Sequence, residues 1–202
     1  MEKVDRARFL RLGAASALGA AGVAVVSARP AAAALPAPNP VGDDVGFFSF
    51  AVVAEMASMR CYQETLGVKG WSLAARRTVS EAMEAKGAHI RRINDVLRDG
   101  AVQPSDFAVD FPKGSFDSRA RALGLGIRLE NLLVSSYLHG VSYADDSSSR
   151  LLLGRLLTFD AQLLAWLRAQ TGASAVPGLP NPVDTEAGGD LLDTYLTIPS
   201  FR

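Results

Sequence analysis

The sequence predicts an all-α protein: a four-helix bundle with a long connection between its second and third helices. Three observations lead to this prediction. Four segments of similar length carry apolar residues at alternating spacings of three and four, the pattern of helices that pack into a bundle. Each segment lies between a helix start signal and a glycine near its end. The connections are short within each half of the chain and long between the halves.

The composition is that of one globular domain. The chain has 202 residues, of which 49% are hydrophobic, enough for a single core. Five of the 21 basic and two of the 21 acidic residues lie in residues 1–34, so the remainder carries a net charge of −3. This mildly acidic body excludes an electrostatic surface for nucleic acid. The single cysteine, Cys61, excludes an internal disulfide.

Residues 1–34 are predicted to be an export signal rather than part of the fold. A basic stretch, Arg6 to Arg11, precedes an apolar run over residues 12–28 and a cluster of small residues suited to cleavage. The stretch resembles a twin-arginine signal, although Ala7 stands where the second arginine is expected. Cleavage would release the protein into the periplasm, cell envelope or exterior. Without cleavage, residues 12–28 would anchor it in a membrane.

Each helix of the bundle, predicted over residues 43–172 after a linker at 35–42, has its own boundary signals. Aspartate and serine residues, good N-caps, precede the apolar pattern, and glycines follow it. These signals place the helices from Asp43-Asp44 to near Gly67, from Ser72 to Arg98, from Asp117-Ser118 to Gly140, and from Ser147–Ser149 to near Gly172.

The connection between the second and third helices, residues 100–117, is long enough to run the length of the bundle. Pro104 and Pro112 prevent a regular helix there, and an extended chain of this length reaches about 59 Å. We expect the first and third helices to be parallel as a result.

The C-terminal residues 173–202 are predicted to form an extended Pro/Gly-rich tail. Its short apolar segment, Leu191 to Leu196, would strap onto the bundle or reach a second subunit or another protein.

Each apolar seam is interrupted by one charged residue near its middle. A carboxylate in an apolar interior costs several kcal/mol unless it is paired or bound to a cation. The three acidic side chains are therefore expected to converge on a positively charged group, unless the helices rotate and expose these side chains to solvent. The four residues, in helix order, are Glu55, Lys86, Glu130 and Asp160, with His89 beside the second seam.

A repeat in the first and third helices carries a family resemblance. Glu55 is followed seven residues later by Tyr62, and Glu130 by Tyr137. Over residues 43–172 the chain thereby resembles the ferritin-like superfamily, and more specifically exported bacterial ferritin-like proteins. The resemblance implies a di-iron centre built from one glutamate on each of helices one and three and a Glu-x-x-His pair on each of helices two and four. It also makes the two tyrosines candidates to hydrogen-bond the ligands.

The expected iron ligands are only partly present. Glu55 and Glu130 match the single glutamates of the resemblance. In helix two His89 matches, but Lys86 replaces the glutamate. In helix four Asp160 replaces the glutamate, and leucine replaces the histidine. The pattern is that of a degenerate di-iron site.

Two hypotheses for function follow. In the favoured one the protein is an exported, non-catalytic module without cofactor, whose acids are satisfied by Lys86 and His89 and which acts in structure or partner binding. The partner would be another protein or a second copy, bound through the bundle surface or the tail. In the alternative, Glu55, His89, Glu130 and Asp160 hold one iron, manganese or zinc ion for oxidase or iron-storage chemistry.

Overall fold

The computed structural model describes residues 37–40, 42–175 and 180–197. The predicted N-terminal signal at residues 1–34 lies outside the described residues. The described residues form five α-helices, a single turn of 3₁₀-helix at Arg98–Gly100 and two very short strands. The helices are α1 (Asp43–Thr65), α2 (Leu73–Leu97), α3 (Arg119–Tyr143), α4 (Ser147–Gln170) and α5 (Thr185–Asp193), and the strands are β1 (Ala108–Val109) and β2 (Leu196–Thr197). The predicted all-α bundle is confirmed.

Side-chain caps fix the starts of three of the four long helices. Ser72 accepts a hydrogen bond from the backbone N–H of Ala75, and Ser118 accepts one from Arg121. Asp146 caps α4 in the same way through Ser149. These side chains satisfy backbone donors that have no partner within the helix.

The start of α1 differs from the prediction, because its aspartates lie inside the first turn and do not cap it. The N-cap position is Gly42, which makes no side-chain hydrogen bond. Asp44 instead accepts hydrogen bonds from the backbone N–H groups of Asp145 and Asp146, at 3.2 and 3.3 Å. The buried carboxylate therefore ties the first turn of α1 to the loop between α3 and α4.

The helices pack as two hairpins, α1 with α2 and α3 with α4, joined along α1 and α3. The expectation that α1 and α3 are parallel was wrong. Gly140 near the end of α3 lies against Phe47 near the start of α1, while Tyr62 near the end of α1 contacts Glu130 in the middle of α3. The two helices are therefore antiparallel, because a connection that crosses the full length of the bundle reverses the direction of the third helix.

The tail is not extended throughout, because it contains α5 and β2. Asp184 caps α5 through the N–H of Ala187, and Leu192 at the helix end is almost completely buried. β2 pairs antiparallel with β1 in the long connection, with Ala108 opposite Thr197. The C-terminal segment thus straps onto its own bundle and holds the connection in place.

Helix α3 continues through Gly140, the predicted end, to Tyr143. We expect Gly140→Ala to destabilise the fold by about 1–3 kcal/mol, because close packing leaves no room for another carbon. The added Cβ would lie 2.7 Å from Phe47 and 2.9 Å from Leu153.

In the matched control, Gly124→Ala in the same helix, the Cβ meets only the end of Arg128 at 3.8 Å. Helix propensity should make that change neutral or stabilising by up to about 1 kcal/mol. Urea unfolding of both variants measures the difference, and equal stabilities would contradict the packing argument.

No helix among the described residues is both long and apolar enough to span a bilayer. The run over residues 12–28, the candidate membrane anchor, falls outside this finding because it is not among the described residues.

Candidate functional site

The four charged residues predicted to interrupt the seams meet in the centre of the bundle. Glu55, Lys86, Glu130 and Asp160 lie on α1, α2, α3 and α4 respectively, and each is 0% exposed. Rotation of the helices does not bring these acids to solvent. Apolar residues on both sides of each charge hold the helix faces inward, so the charges must be satisfied by groups inside the bundle.

Lys86 occupies the middle of the cluster. Its Nζ lies 2.7 Å from Asp160 Oδ1, 3.0 Å from Glu55 Oε2 and 3.2 Å from Glu130 Oε2. One ammonium therefore contacts a carboxylate from each of the other three helices. An ammonium carries three N–H donors and no acceptor, so its charge and its hydrogen bonds both suit a position among acids.

The two tyrosines bind the glutamates of opposite helices. Tyr62 on α1 donates a hydrogen bond of 2.8 Å to Glu130 on α3, and Tyr137 on α3 donates one of 2.7 Å to Glu55 on α1. The reciprocal pairing follows from the antiparallel packing, which places the tyrosine of each helix beside the glutamate of the other. Each of the two candidate tyrosines thus has its hydroxyl on a glutamate of the cluster.

Two further side chains lie within hydrogen-bonding distance of the glutamates. His89 Nδ1 lies 3.1 Å from Glu55 Oε1, and the ring is 15% exposed, so it extends from the cluster towards solvent. Ser58 donates a hydrogen bond to Glu130 Oε1. Ser58 was not among the residues predicted from the sequence, although its position one helical turn after Glu55 was a signal that it could face the same interior.

The charges within the cluster shift one another's protonation. Burial alone would lower the pKa of the Lys86 ammonium, but Asp160, Glu130 and Glu55 outweigh it and hold that pKa well above its usual range. Burial opposes ionisation of Glu55, yet Lys86 and His89 lower its pKa to about 2. For Asp160, burial and the negative charge of Glu55 raise the pKa well above its usual range, although the positive charge of Lys86 acts to lower it. Lys86 is thus charged at neutral pH, and Asp160 keeps a proton more readily than Glu55 does.

One oxygen of Asp160 stands apart from this network. Oδ1 accepts the hydrogen bond from Lys86, whereas the buried Oδ2 has no hydrogen-bond partner among the described residues. An unpaired buried oxygen is costly when ionised. The neutral acid lowers that cost, in agreement with the raised pKa of Asp160.

The residues present do not fit a two-iron centre. Such a centre needs about four carboxylates and two imidazoles, whereas Lys86 and Leu163 stand at two of the six positions. Among the described residues, one group of possible ligand atoms comes together: Glu55, His89 and Asp160, within 4.8 Å of one another. Glu130, the fourth candidate ligand, is not part of that group. The same carboxylates contact the Lys86 ammonium, whose charge repels a divalent cation.

Comparison with known families gives one match. The family described as "Ferritin-like domain" matches residues 43–173, which covers all four long helices and the cluster between them. Searches of curated proteins and of solved structures returned no match. The match spans more than half of the chain, and the chain belongs to the ferritin-like domain family.

Proposed function

We propose that this protein is an exported ferritin-like module in which Lys86 has replaced the metal, and that it acts in structure or partner binding rather than catalysis. The observation that carries the proposal is the position of the Lys86 ammonium, within 3.2 Å of a carboxylate from each of the other three helices. A fixed positive charge there does electrostatically what a bound cation would do for the same acids.

The connectivity of the cluster supports a structural role. Every contact of Lys86 in this network crosses from α2 to another helix, and the tyrosine pairs join α1 to α3. A buried polar network of this kind can specify the register and orientation of helices, because any shift leaves charges unpaired. Its chemistry also argues against redox catalysis, since none of the acids is free to accept a metal while Lys86 is charged.

The proposed role in partner binding rests on the bundle surface and the tail. Leu73, Tyr143 and Leu191 are large apolar side chains that are 87%, 70% and 54% exposed. They lie at separate places in the chain, at the start of α2, the end of α3 and in α5. A protein partner or a second copy of the chain would find apolar contacts there. Export is proposed from the basic and apolar pattern of residues 1–34.

Metal content tests the proposal. Protein purified after exposure to iron, manganese and zinc should contain less than about a tenth of an equivalent of any metal while its helical fold stays intact. Elemental analysis with circular dichroism on the same sample measures both. One tightly held equivalent that disappears in the Glu55→Ala variant would overturn the proposal.

The alternative function is a single metal site for oxidase or iron-storage chemistry. The grouping of Glu55, His89 and Asp160 within 4.8 Å favours it, because these atoms could share one iron, manganese or zinc ion. Lys86 would have to lose its proton or leave the cluster. Replacement of His89 by alanine distinguishes the two functions: it removes a ligand in the alternative, whereas in the metal-free module it leaves the metal content near zero.

A further inference from the structure

We propose that a cavity between α3 and the C-terminal segment binds a fatty acid, with the carboxylate at Arg128 and the apolar chain between the helix and the segment. The cavity has a volume of about 420 Å³, which is a usual size for a small-molecule site. None of the residues of the central charged cluster lines it. The inference therefore goes beyond the proposed function, and its test does not depend on whether the cluster holds a metal.

The C-terminal segment is held at three points, and the cavity lies between it and α3. The backbone N–H of Val183 donates a hydrogen bond of 3.1 Å to the carbonyl oxygen of Ser135 on α3. Gly188 of α5 packs so closely on α1 that an added Cβ would lie 2.7 Å from the ring of Phe50. Beyond α5, the ring of Tyr195 packs on an aromatic ring of the long connection, with centroids 5.7 Å apart. The segment is thus fixed on α1 and on the connection, and space remains beside α3.

Apolar side chains form most of the cavity wall. Leu129 and Leu132 contribute to it from α3, and Val183 and Leu191 contribute from the C-terminal segment. The two α3 leucines are buried, whereas Leu191 is 54% exposed, so the cavity is deep on the helix side and open to solvent beside α5. A hydrocarbon chain that enters it leaves water for an apolar surface, which is favourable for every methylene group buried.

Three polar side chains of α3 line the same cavity, and each can donate a hydrogen bond. Arg128, Asn131 and Ser135 follow one another at spacings of three and four, which places them on one face of the helix. Ser135 is only 7% exposed, yet its hydroxyl has no hydrogen-bond partner among the described residues. The amide oxygen of Asn131 accepts a hydrogen bond of 3.5 Å from Arg168, so its N–H groups are available to a ligand.

The charge of the cavity selects an anion. Arg128 forms neither an ion pair nor a hydrogen bond within the part of the chain that the structure describes. None of the residues that line the cavity is acidic, so this guanidinium is the charged group of the wall. A guanidinium and a carboxylate form strong charge-assisted hydrogen bonds. One cation beside an apolar wall therefore fits a molecule with one carboxylate and an apolar chain, which is a fatty acid.

Calorimetric titration of the purified, lipid-stripped full chain with decanoate tests the proposal. We expect one site with a dissociation constant on the order of 10–100 µM, and each methylene removed from the chain should weaken binding about two- to fourfold. Decanol, which has the same chain without the charge, should bind at least about tenfold more weakly than decanoate. Acetate, which has the charge without the chain, should not bind. The proposal is overturned if decanoate does not bind, if decanol binds equally well, or if acetate binds as tightly as decanoate.

The variant Arg128→Met assigns the carboxylate position. The side chain is exposed and unpaired among the described residues, so its loss should leave the helical fold intact by circular dichroism. We expect decanoate to bind this variant at least about tenfold more weakly than wild type, with decanol binding unchanged. The matched control is Arg155→Met, which removes an exposed arginine of α4 outside the cavity and should bind decanoate as wild type does. Unchanged decanoate affinity in Arg128→Met, or an equal loss in both variants, would contradict the assignment.

Discussion

Replacement of Lys86 by methionine is expected to destabilise the protein by about 3–5 kcal/mol at neutral pH, the range measured when one partner of a buried ion pair is removed. Methionine fills a similar volume, so the loss comes from charge and not from a cavity. Glu55, Glu130 and Asp160 would remain completely buried without the cation that all three contact. Urea unfolding followed by circular dichroism measures the change in unfolding free energy.

The pH dependence of this variant gives a second readout. Without the ammonium, burial is the largest influence on the folded-state pKa values of Glu55 and Asp160 and raises them above their unfolded values. Such groups stabilise the fold fully below the unfolded pKa, and this stabilisation is lost as the pH rises through the folded pKa. The deficit of Lys86→Met relative to wild type should therefore shrink as the pH falls from 7 towards about 4.

The matched control is Lys69→Met in the exposed loop between α1 and α2. It removes the same charge from a solvated position, where the expected effect lies within about 0.5 kcal/mol. If the two methionine variants lose equal stability, Lys86 does not satisfy the buried acids.

Restoring the two missing ligands should create metal binding. The double change Lys86→Glu with Leu163→His removes the central cation and supplies the carboxylate and imidazole that a two-metal centre lacks. Leu163 is buried one helical turn after Asp160, as a Glu-x-x-His partner must be. We expect at least one equivalent of iron or zinc by elemental analysis, against less than about a tenth of an equivalent in the wild type.

Stability provides the independent measurement for the double variant. Four buried acids without a cation should make the metal-free form less stable than wild type, and added metal should raise its unfolding temperature. Metal present at about 100 times its dissociation constant contributes about 2.7 kcal/mol. The control is Leu163→His alone, which keeps Lys86 and should bind no more metal than wild type. Binding by this single variant would show that Lys86 does not exclude metal.

The central cluster could be predicted largely from sequence because each of its residues breaks an otherwise apolar helical pattern. Glu55, Lys86, Glu130 and Asp160 are each flanked by core residues, and burial of those residues fixes which way the charges point. Ser58 did not stand out, because a serine inside a helix pattern is compatible with core, surface or site. The role of the Ser58 hydroxyl depends on its hydrogen bond to Glu130, which lies on another helix.

The positions of the helices and the all-α fold class were thus determined by the sequence itself. Local signals sufficed for these, since caps such as Ser72 and the spacing of apolar residues act within a few turns. The structure alone decided the direction of α3 relative to α1, the cross-pairing of Tyr62 with Glu130, and the return of α5 to the bundle. These features depend on contacts between residues far apart in the chain, and on the path of a connection whose length does not specify its direction. The sequence placed the charges on their helices, but only packing could bring a lysine within 3.2 Å of three acids.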